Sequence, residues 1–354
     1  MPLLNNGIFD VKADGGATGD GVADDTAEIQ ATIDLAKNAV TTDQLGASRS
    51  ATVYFPPGKY KFTSALTIPS RGMCIMGSGA EGSFLYPAAS GARIVTAGGV
   101  FGAGTLFRNF FMDGGGAVSK GIIINDEECA LENVFLRGFF NAALEVNGGS
   151  ILHLSNVRLG SSEVLMRVIN ASAISMVGCN LFGGATAAIE VGTTATDISI
   201  TGGWAEAFTT FLRVRNSTGV DANLAMFSAR GMRFVSTVAD ARILSLESAA
   251  ATAMCRAAPV AFRDCTWYLS NTSYAVRVNA AGNTNGSTGL QLLLDNVNLP
   301  VGIGTALVTS DVASTRVAIQ YITGVPSTKL LSGYGTLLGG PGFGDPLTLY
   351  GVWA

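Results

Sequence analysis

The sequence predicts an all-β fold, a parallel β-helix or solenoid, and three observations support this prediction. A short segment recurs eight times, its central residue is always Asn, Gly or Asp, and apolar residues alternate on both sides of it. Successive copies lie 22 to 33 residues apart, which leaves room for three strands but none for a crossover helix. The central residues are Asn109, Asn133, Asn156, Gly178, Gly202, Gly231, Asp264 and Asn296.

Each copy is predicted to form a strand, a one-residue bend and a second strand. Asn, Gly and Asp adopt a left-handed backbone at the lowest cost, which suits them to the bend. The positions four before the bend and one and three after it are mostly apolar, so they are predicted to face inward. A third strand precedes each next copy, as in Leu144-Glu145-Val146. The pattern gives eight clear coils and a weaker ninth at 317–322.

The composition favours one elongated domain whose outer faces are partly covered in a homo-oligomer. Charged residues make up 14% of the 354 residues, whereas soluble domains usually carry about 25%. No window approaches 18 consecutive apolar residues, so no membrane insertion is expected. The net charge of −4 provides no basic surface, so nucleic acid is not expected as a partner.

The cysteines are predicted to be free thiols. Their number, five, is odd, which argues against a disulfide framework. Cys129, Cys179 and Cys265 fall on inward positions, where they serve as small apolar side chains. The first six residues show no secretory signal, so we expect an extracellular target to be reached by another route, such as a virus particle.

The N-terminal region is predicted to cap the solenoid. A short strand at 7–11 precedes a Gly/Asp loop, and Asp25 with Glu28 matches the capping-box pattern of a helix start. Ile29, Ile33 and Ala36 would share one face of that helix. An amphipathic helix there covers the apolar side chains and open strand edges of the first coil.

The first 60 residues also resemble the N-terminal signature of a known superfamily, the pectate-lyase-like right-handed β-helix proteins. The resemblance rests on Phe9 through Ala13, Gly19-Asp20-Gly21, Asp24-Asp25-Thr26, Ile29-Gln30 and Val53-Tyr54-Phe55-Pro56-Pro57-Gly58-Lys59-Tyr60. That superfamily includes polysaccharide lyases, β-helical glycosidases and bacteriophage tailspikes. The resemblance implies a right-handed coil, and its tailspike members imply a homotrimer. Asp20, Asp24 and Asp25 are interpreted as capping and turn residues, since this is the commonest use of such side chains.

Three regions follow from these observations. Residues 1–62 form the N-terminal cap, 63–324 the parallel β-helix, and 325–354 a tail rich in Gly and aromatic residues. The tail is expected either to close the lower end of the β-helix or to join the protomers of a trimer.

One candidate site lies on the outward positions of the third strand of each coil. These positions are Ile123, Glu145, Arg167, Glu190, Arg213, Ser245, Arg277 and Val308, and Arg167 takes part only if Met166 and Val168 face inward. The alternation of acid and base predicts an ion ladder on an outer face. The competing hypothesis makes Glu145 and Glu190 the acid and base of an inverting glycosidase, about 9.6 Å apart at the backbone. The neighbouring arginines oppose it, because they lower carboxyl pKa values and a general acid needs one that is raised.

A second candidate site lies two residues after each bend. This outward file reads Phe111, Phe135, Arg158, Asn180, Trp204, Arg233, Thr266 and Asn298. Aromatic and polar groups in one line suit carbohydrate, and they suit a protein interface equally well. Asp113 and Glu206 are further candidate catalytic acids. His153 is the one histidine and gives little support to a His-centred triad, and no residue spacing matches a metal or cofactor site.

The leading hypothesis is a trimeric bacteriophage tailspike-like protein of the virion tail, which binds a host cell-surface polysaccharide and contacts other phage tail proteins. Its candidate carbohydrate-binding residues are Arg158, Asn180, Trp204, Arg233, Arg167 and Arg213. The first alternative is a polysaccharide depolymerase, a hydrolase or a lyase, that uses Glu145, Glu190, Asp113 or Glu206. The second alternative is a purely structural virion component.

Overall fold

The computed structural model describes most of the chain as β-strand. The described residues are 7–39, 51–69, 72–79, 81–98, 104–125, 128–148, 151–217, 219–248, 253, 255–269, 274–279, 289–299, 306–310, 316–319, 322–323, 331–333 and 336–339. Within them the chain forms 28 strands and one α-helix, and the strands pair in parallel. The predicted fold class, a parallel β-helix with an N-terminal helix, is therefore confirmed.

The chain divides into two compact units, Met1–Glu163 and Val164–Ala354. The first unit holds the helix α1 (Thr26–Ala39). Its strands are β1 (Ile8–Asp10), β2 (Asp20–Asp24), β3 (Ala51–Phe55), β4 (Gly58–Phe62), β5 (Leu66–Ile68), β6 (Met73–Gly77), β7 (Ser83–Pro87), β8 (Ile94–Thr96), β9 (Thr105–Ile124), β10 (Glu128–Val146) and β11 (Ile151–Ser155). The next strand, β12 (Arg158–Val177), begins in the first unit and ends in the second.

The second unit is built of strands alone in its described part. They are β13 (Asn180–Thr201), β14 (Trp204–Glu206), β15 (Thr210–Arg215), β16 (Ala222–Arg230), β17 (Arg233–Ser236), β18 (Arg242–Glu247), β19 (Cys255–Arg263), β20 (Thr266–Leu269), β21 (Tyr274–Asn279), β22 (Gly289–Asp295), β23 (Val297–Asn298), β24 (Ala306–Ser310), β25 (Arg316–Ile319), β26 (Ile322–Thr323), β27 (Leu331–Gly333) and β28 (Thr336–Gly339).

Within each unit, three strands make one coil and each strand pairs with the equivalent strand of the next coil. In the first unit the files run Val53, Ile75, Phe107; Tyr60, Leu85, Met112; and Leu66, Ile94, Ile122. In the second unit they run Ile198, Phe227, Val260, Leu292; Leu181, Ala205, Phe234, Trp267; and Ile189, Leu212, Leu244, Val276, Val308. These side chains are buried, so their stacking forms the apolar core of each unit.

All eight predicted bend residues have a left-handed backbone, with φ between 52° and 66°. In the first unit the bend asparagines also form a ladder. Asn156 Nδ2 donates to Asn133 Oδ1 at 2.7 Å, and Asn133 Nδ2 donates to Asn109 Oδ1 at 3.2 Å. The side-chain amide thus supplies a hydrogen bond between coils at the position where the bend interrupts the strand.

Gly203 is the one gap in the predicted alternation after the bends, and the structure explains it. A Cβ at this position would collide with the backbone oxygen of Cys179, and Gly203 has a φ of 82°. The collision requires glycine, because every other residue has a Cβ, and the positive φ also favours it.

The helix α1 covers β1, β3 and β5 with the predicted face, since Ile29, Ile33 and Ala36 are fully buried. The capping box predicted at its start is wrong. The Asp25 carboxylate instead accepts hydrogen bonds from the backbone N–H groups of Thr18 and Gly19, at 2.6 and 3.0 Å. The Asp25 N–H donates to the Lys61 carbonyl at 2.8 Å, so no group is left for Glu28 to cap.

The turn and capping roles predicted for the three aspartates are confirmed, since the Asp25 carboxylate holds the loop at Thr18 and Gly19. Asp24 Oδ1 accepts the first helical N–H, from Thr26, at 3.2 Å, so Asp24 caps the helix. Asp20 Oδ1 accepts the N–H groups of Val22 and Ala23 at 2.7 and 2.9 Å.

The cysteine prediction is also confirmed. All five cysteines are free, and Cys129, Cys179 and Cys265 are buried.

Coil formation continues past the eighth copy. The predicted ninth coil is represented by β25 and β26, which pair with β22 and β23. Two further strands, β27 and β28, lie in the segment predicted to be a tail and pair in parallel with β24 and β25. The aromatic residues Tyr334, Phe343, Tyr350 and Trp353 of the predicted tail lie outside the described residues.

Candidate functional site

The outward file after the bends is continuous in the second unit. Its members pair in the order Asn180, Trp204, Arg233, Thr266 and Asn298, as the alternation predicts. We call this set the Trp204 strip. Trp204 is 46% exposed, and Arg233 and Asn298 are exposed as well. An indole this large left open to solvent on a strand face is a candidate contact for a partner molecule.

A second outward file lies beside the Trp204 strip, two residues further along each strand. It reads Phe182, Glu206, Val235 and Tyr268. Residues i and i+2 of a strand share one face, so Glu206 stands next to Trp204. The Arg233 guanidinium carbon lies 5.0 Å from the centroid of the Tyr268 ring. The exposed face therefore combines an indole, a phenol, a guanidinium, an amide and a carboxylate.

Two consecutive glycines position Trp204. Gly202 and Gly203 both have a left-handed backbone, and the Trp204 N–H donates to the Cys179 carbonyl at 3.2 Å. This hydrogen bond fixes the start of the three-residue strand β14, in which Ala205 is buried and both of its neighbours face outward.

The third-strand face of the second unit carries an arginine–glutamate ladder, formed by Arg167, Glu190, Arg213 and Glu247. Arg167 Nε lies 2.9 Å from Glu190 Oε1, Arg213 Nη1 3.2 Å from Glu190 Oε2, and Arg213 Nη2 2.6 Å from Glu247 Oε2. The required register is present, because Met166 and Val168 are fully buried. The predicted ion ladder is confirmed here, and it leaves Glu190 and Arg213 only 13% exposed each.

Two details of this face differ from the prediction. Glu247, two residues beyond the predicted file, takes the ladder position because Arg213 reaches diagonally to it across Ser245. Val308 was expected to face outward, but it is fully buried and Thr309 pairs with Arg277 instead. The Leu307-Val308-Thr309 triplet fits either parity, so the sequence alone misassigned it by one residue.

Glu247 shows the electrostatic character of the ladder. Burial acts to raise the pKa of Glu247, but the hydrogen bonds and the positive charge of Arg213 outweigh it and hold the pKa below its ordinary value. Ser245 Oγ, itself fully buried, donates to Glu247 Oε1 at 3.0 Å. Both carboxylate oxygens are therefore engaged, as expected of a structural ion pair.

Glu145, a candidate acid of the first unit, is buried although it was predicted to face outward into solvent. Its side chain is 2% exposed and pairs with Lys120, whose Nζ lies 2.8 Å from Oε1. Its position is next to Ile123, which is also buried. The other oxygen, Oε2, has no hydrogen-bond partner among the described residues. The pairing of Glu145 with Glu190 in catalysis stays a prediction.

Asp113 is also engaged in an ion pair. Arg137 Nε lies 2.8 Å from Asp113 Oδ2, and Asp113 Oδ1 accepts the Gly115 N–H at 2.9 Å. Glu206 is the exposed member of the four candidate acids and makes no ion pair within the described ranges. Arg158, at the start of β12, and His153 are both exposed.

Asp197 is a carboxyl group that the sequence reasoning missed. Burial raises the pKa of Asp197, and its Oδ1 has no hydrogen-bond partner within the part of the chain that the structure describes. It pairs with Met226, which is 44% exposed. No sequence signal marks Asp197, because a single outward Asp between threonine and isoleucine is ordinary in a strand.

No group of three or more His, Cys, Asp or Glu side chains in the described ranges is placed to hold a metal ion. The helix found there, α1, does not have the length and apolar character needed to cross a membrane.

The fold defines the class of protein, the right-handed parallel β-helix proteins. A family model described as rhamnogalacturonase A/epimerase, pectate lyase-like, matches residues 8–148. The resemblance to the pectate-lyase-like superfamily is therefore confirmed. A search of curated proteins by sequence finds no match.

Solved structures with the same fold include two viral proteins and one bacterial enzyme module. One is the tailspike gp49 of Acinetobacter baumannii bacteriophage Fri1, which is titled a capsular polysaccharide depolymerase. Its TM-score is 0.62 at 14% sequence identity, and the match covers 97% of this chain and 65% of the tailspike chain. ORF18 of Geobacillus virus E2 has a TM-score of 0.60 at 15% identity, covering 95% and 62%. The A-module of the mannuronan C-5 epimerase AlgE4 from Azotobacter vinelandii has a TM-score of 0.54 at 15% identity, covering 93% and 99%.

This chain thus spans less than two thirds of the two viral proteins. At these identities the likeness is one of fold.

Proposed function

We propose that this β-helix is a tailspike-like protein of a phage virion that binds a polysaccharide of the host cell surface, with the Trp204 strip as part of the binding surface. The observation that carries the proposal is the exposed indole of Trp204, in register between Asn180 and Arg233. Sugar rings present C–H faces that pack on aromatic rings. Their hydroxyl groups accept hydrogen bonds from amide and guanidinium N–H groups and donate to amide oxygens. Parallel strands repeat this arrangement coil by coil, which suits a polymeric ligand.

The comparisons support the proposal at the level of fold and of the class of ligand. One β-helical relative in structure is titled a tailspike and capsular polysaccharide depolymerase, and another a mannuronan epimerase. A virion location, contacts with other phage tail proteins and a homotrimer belong to the same proposal. Sedimentation analysis of the purified protein tests the trimer directly, and a monomer at micromolar concentration contradicts it.

The binding surface is tested by substitution. We expect Trp204→Ala to weaken the binding of host capsular polysaccharide, measured by calorimetry, about tenfold, because stacking on an aromatic ring contributes about 1 kcal/mol or more. The matched control is Val177→Ala, which removes an apolar side chain that is 51% exposed in the same unit. Binding of Trp204→Ala with wild-type affinity would refute the proposed surface. Failure of the wild type to retain any host polysaccharide would favour a purely structural role.

A polysaccharide depolymerase is the second candidate, and Asp197 favours it. A general acid must hold a proton near neutral pH, and burial shifts the pKa of Asp197 in that direction. Incubation with the same polysaccharide tests this candidate through the appearance of new reducing ends or unsaturated products. Cleavage that is lost in Asp197→Asn assigns the acid to this residue, whereas loss in Glu190→Gln assigns it to the arginine–glutamate ladder. Retention of polysaccharide without cleavage supports the binding protein.

A further inference from the structure

We propose that the first unit carries a second ligand surface, distinct in its residues from the Trp204 strip, that binds polysaccharides bearing carboxylate groups. Its centre is a row of three phenylalanines, Phe84, Phe111 and Phe135, which we call the aromatic row. The cations Lys59 and Arg137 flank it. The inference rests on the proposed function only in taking a polysaccharide as the ligand, and its test is separable from that of Trp204.

Lys59 and the three phenylalanines of the aromatic row are aligned by strand register across four coils. Lys59 pairs with Phe84, Phe84 with Phe111, and Phe111 with Phe135, on β4, β7, β9 and β10. The rings of Phe84 and Phe111 are 4.8 Å apart in an edge-to-face contact, and those of Phe111 and Phe135 are 4.8 Å apart and stacked. Two strand spacings of about 4.8 Å make the row roughly 10 Å long, so it presents a continuous apolar strip to an extended ligand.

Lys59 stands over the upper end of the row. Its Nζ lies 4.3 Å from the centroid of Tyr86 and 5.1 Å from that of Phe84. Lys59 is exposed, and within the described residues its ammonium group has neither an ion pair nor a hydrogen-bond acceptor. Lys120 of the same unit shows the contrast, because its ammonium is held by Glu145 at 2.8 Å. The three N–H donors of Lys59 therefore remain open to a ligand.

Arg137 stands at the other end. Its guanidinium carbon lies 4.9 Å from the Phe111 centroid and 5.8 Å from that of Phe135, and its side chain is 46% exposed. Its Nε is bound by Asp113, whereas its terminal nitrogens have no acceptor in the described part of the chain. A guanidinium with two free forked donors is the group that recognises a carboxylate in bidentate fashion.

The charges of this surface select an anionic ligand. Asp113 already pairs with Arg137. Asp20 is in register with Lys59, but its Oδ1 accepts the N–H groups of Val22 and Ala23, and within the described residues Lys59 makes no ion pair. A neutral glycan would use the rings but would bring no negative charge to Lys59 or to the terminal nitrogens of Arg137. A polymer with carboxylates along its length would place its sugar rings on the aromatic row and its charges against Lys59 and Arg137.

The test uses polymannuronate, a polysaccharide with a carboxylate on each sugar, and the same polymer after chemical reduction of its carboxyl groups. We expect the wild type to bind polymannuronate and the reduced polymer to bind more weakly. Lys59→Gln weakens the binding of polymannuronate roughly two- to tenfold and leaves the binding of the reduced polymer unchanged. The matched control, Lys37→Gln, removes an exposed lysine of α1 away from the row and changes the affinity less than twofold.

Four results overturn the inference. They are wild-type affinity in Lys59→Gln, equal binding of the two polymers, no binding of polymannuronate by the wild type, and a changed sedimentation coefficient of Lys59→Gln, which would mean that a second copy of this chain covers the row. Trp204→Ala is measured alongside. A loss of affinity in Trp204→Ala alone refutes this inference and keeps the proposed function. A loss of affinity in Lys59→Gln alone keeps this inference and refutes the Trp204 strip as a binding surface.

Discussion

Arg213 donates two hydrogen bonds to a single oxygen of Glu247, with Nη2 at 2.6 Å and Nε at 3.0 Å from Oε2. The remaining terminal nitrogen of the same guanidinium lies 3.2 Å from Glu190 Oε2. One arginine therefore connects carboxylates that belong to different coils of the second unit. Its side chain is 13% exposed, so water competes little for these bonds.

Removal of this guanidinium is expected to destabilise the protein. Arg213→Ala leaves Glu190 and Glu247 with fewer partners and should lower the free energy of unfolding by about 1 to 3 kcal/mol, measured by urea denaturation. The control is Arg230→Ala. Arg230 also pairs with a carboxylate, that of Asp264, but its side chain is 71% exposed, so we expect a change below about 0.5 kcal/mol. Equal effects of the two substitutions would contradict this account.

The lowered pKa of Glu247 predicts a dependence of stability on pH. Because the pKa is lower in the folded state, Glu247 contributes stability that is present above its ordinary value of 4.5 and is lost as the pH falls through the folded-state pKa. Glu247→Gln should therefore show a shallower loss of stability than the wild type when the melting temperature is followed from about pH 5 downward. Parallel curves for the two proteins would mean that other carboxyl groups dominate.

Asp24 is expected to contribute to acid sensitivity in the same direction. The hydroxyl groups of Thr26 and Thr63 donate to its carboxylate and hold the pKa of Asp24 below its ordinary value. Its protonation at low pH removes the cap of α1. Helix content, followed by circular dichroism, should fall at a higher pH in Thr63→Val than in the wild type, because the substitution removes one of the two donors that stabilise the ionised carboxylate.

Substitution of two glycines distinguishes the cost of a strained backbone from the cost of a steric collision. At Gly178, with a φ of 62°, an added Cβ meets no atom, so Gly178→Ala should cost only the strain of a left-handed backbone, about 1 to 2 kcal/mol. At Gly203, with a φ of 82°, the same change drives Cβ into the backbone of Cys179. We expect Gly203→Ala to be clearly the more damaging of the two in urea unfolding. A smaller effect at Gly203 would show that its approach to Cys179 is relaxed in solution.

The buried thiols are expected to resist alkylation. Burial raises the pKa of both Cys255 and Cys265 to about 11, so the reactive thiolate is scarce near neutral pH. Iodoacetamide at pH 8 should modify the folded protein slowly and all five cysteines rapidly in urea, as mass spectrometry would reveal. The half-buried Cys74 should react first. Rapid labelling of Cys255 or Cys265 in the folded state would contradict their burial.

Much of the fold could be predicted from the sequence because local residue patterns determine its strands and bends. The left-handed bends at Asn109 through Asn296 are occupied by Gly, Asn or Asp, which adopt this backbone at the lowest cost, and the alternation around them marks the buried files. Local patterns did not predict the structure where the partner of a side chain lies on a backbone segment that is distant in sequence. Whether Asp25 caps its own helix or the loop at Thr18 and Gly19 is decided by the fold that brings that loop to it.

The same distinction applies to the residues of the candidate sites, some of which the local pattern predicted and some of which it did not. Trp204 and its neighbours in register were recognised because each stands two residues after a bend. Lys59, Phe84 and Tyr86 were missed because the coils that carry them precede the first clear bend and their loops hide the repeat. Glu247 was missed because Arg213 reaches it diagonally, and a side-chain reach across coils leaves no trace in the spacing of residues.

The sequence by itself determined that this chain coils in parallel strands, where it bends and which side chains form its apolar interior, because these follow from backbone preference and the two-residue period of a strand. Only the tertiary structure decided which outward charges neutralise one another and which stay open. Pairing depends on the positions of atoms a whole coil apart, so Glu190 is enclosed between two arginines while Lys59 rests on aromatic rings with its ammonium donors unused.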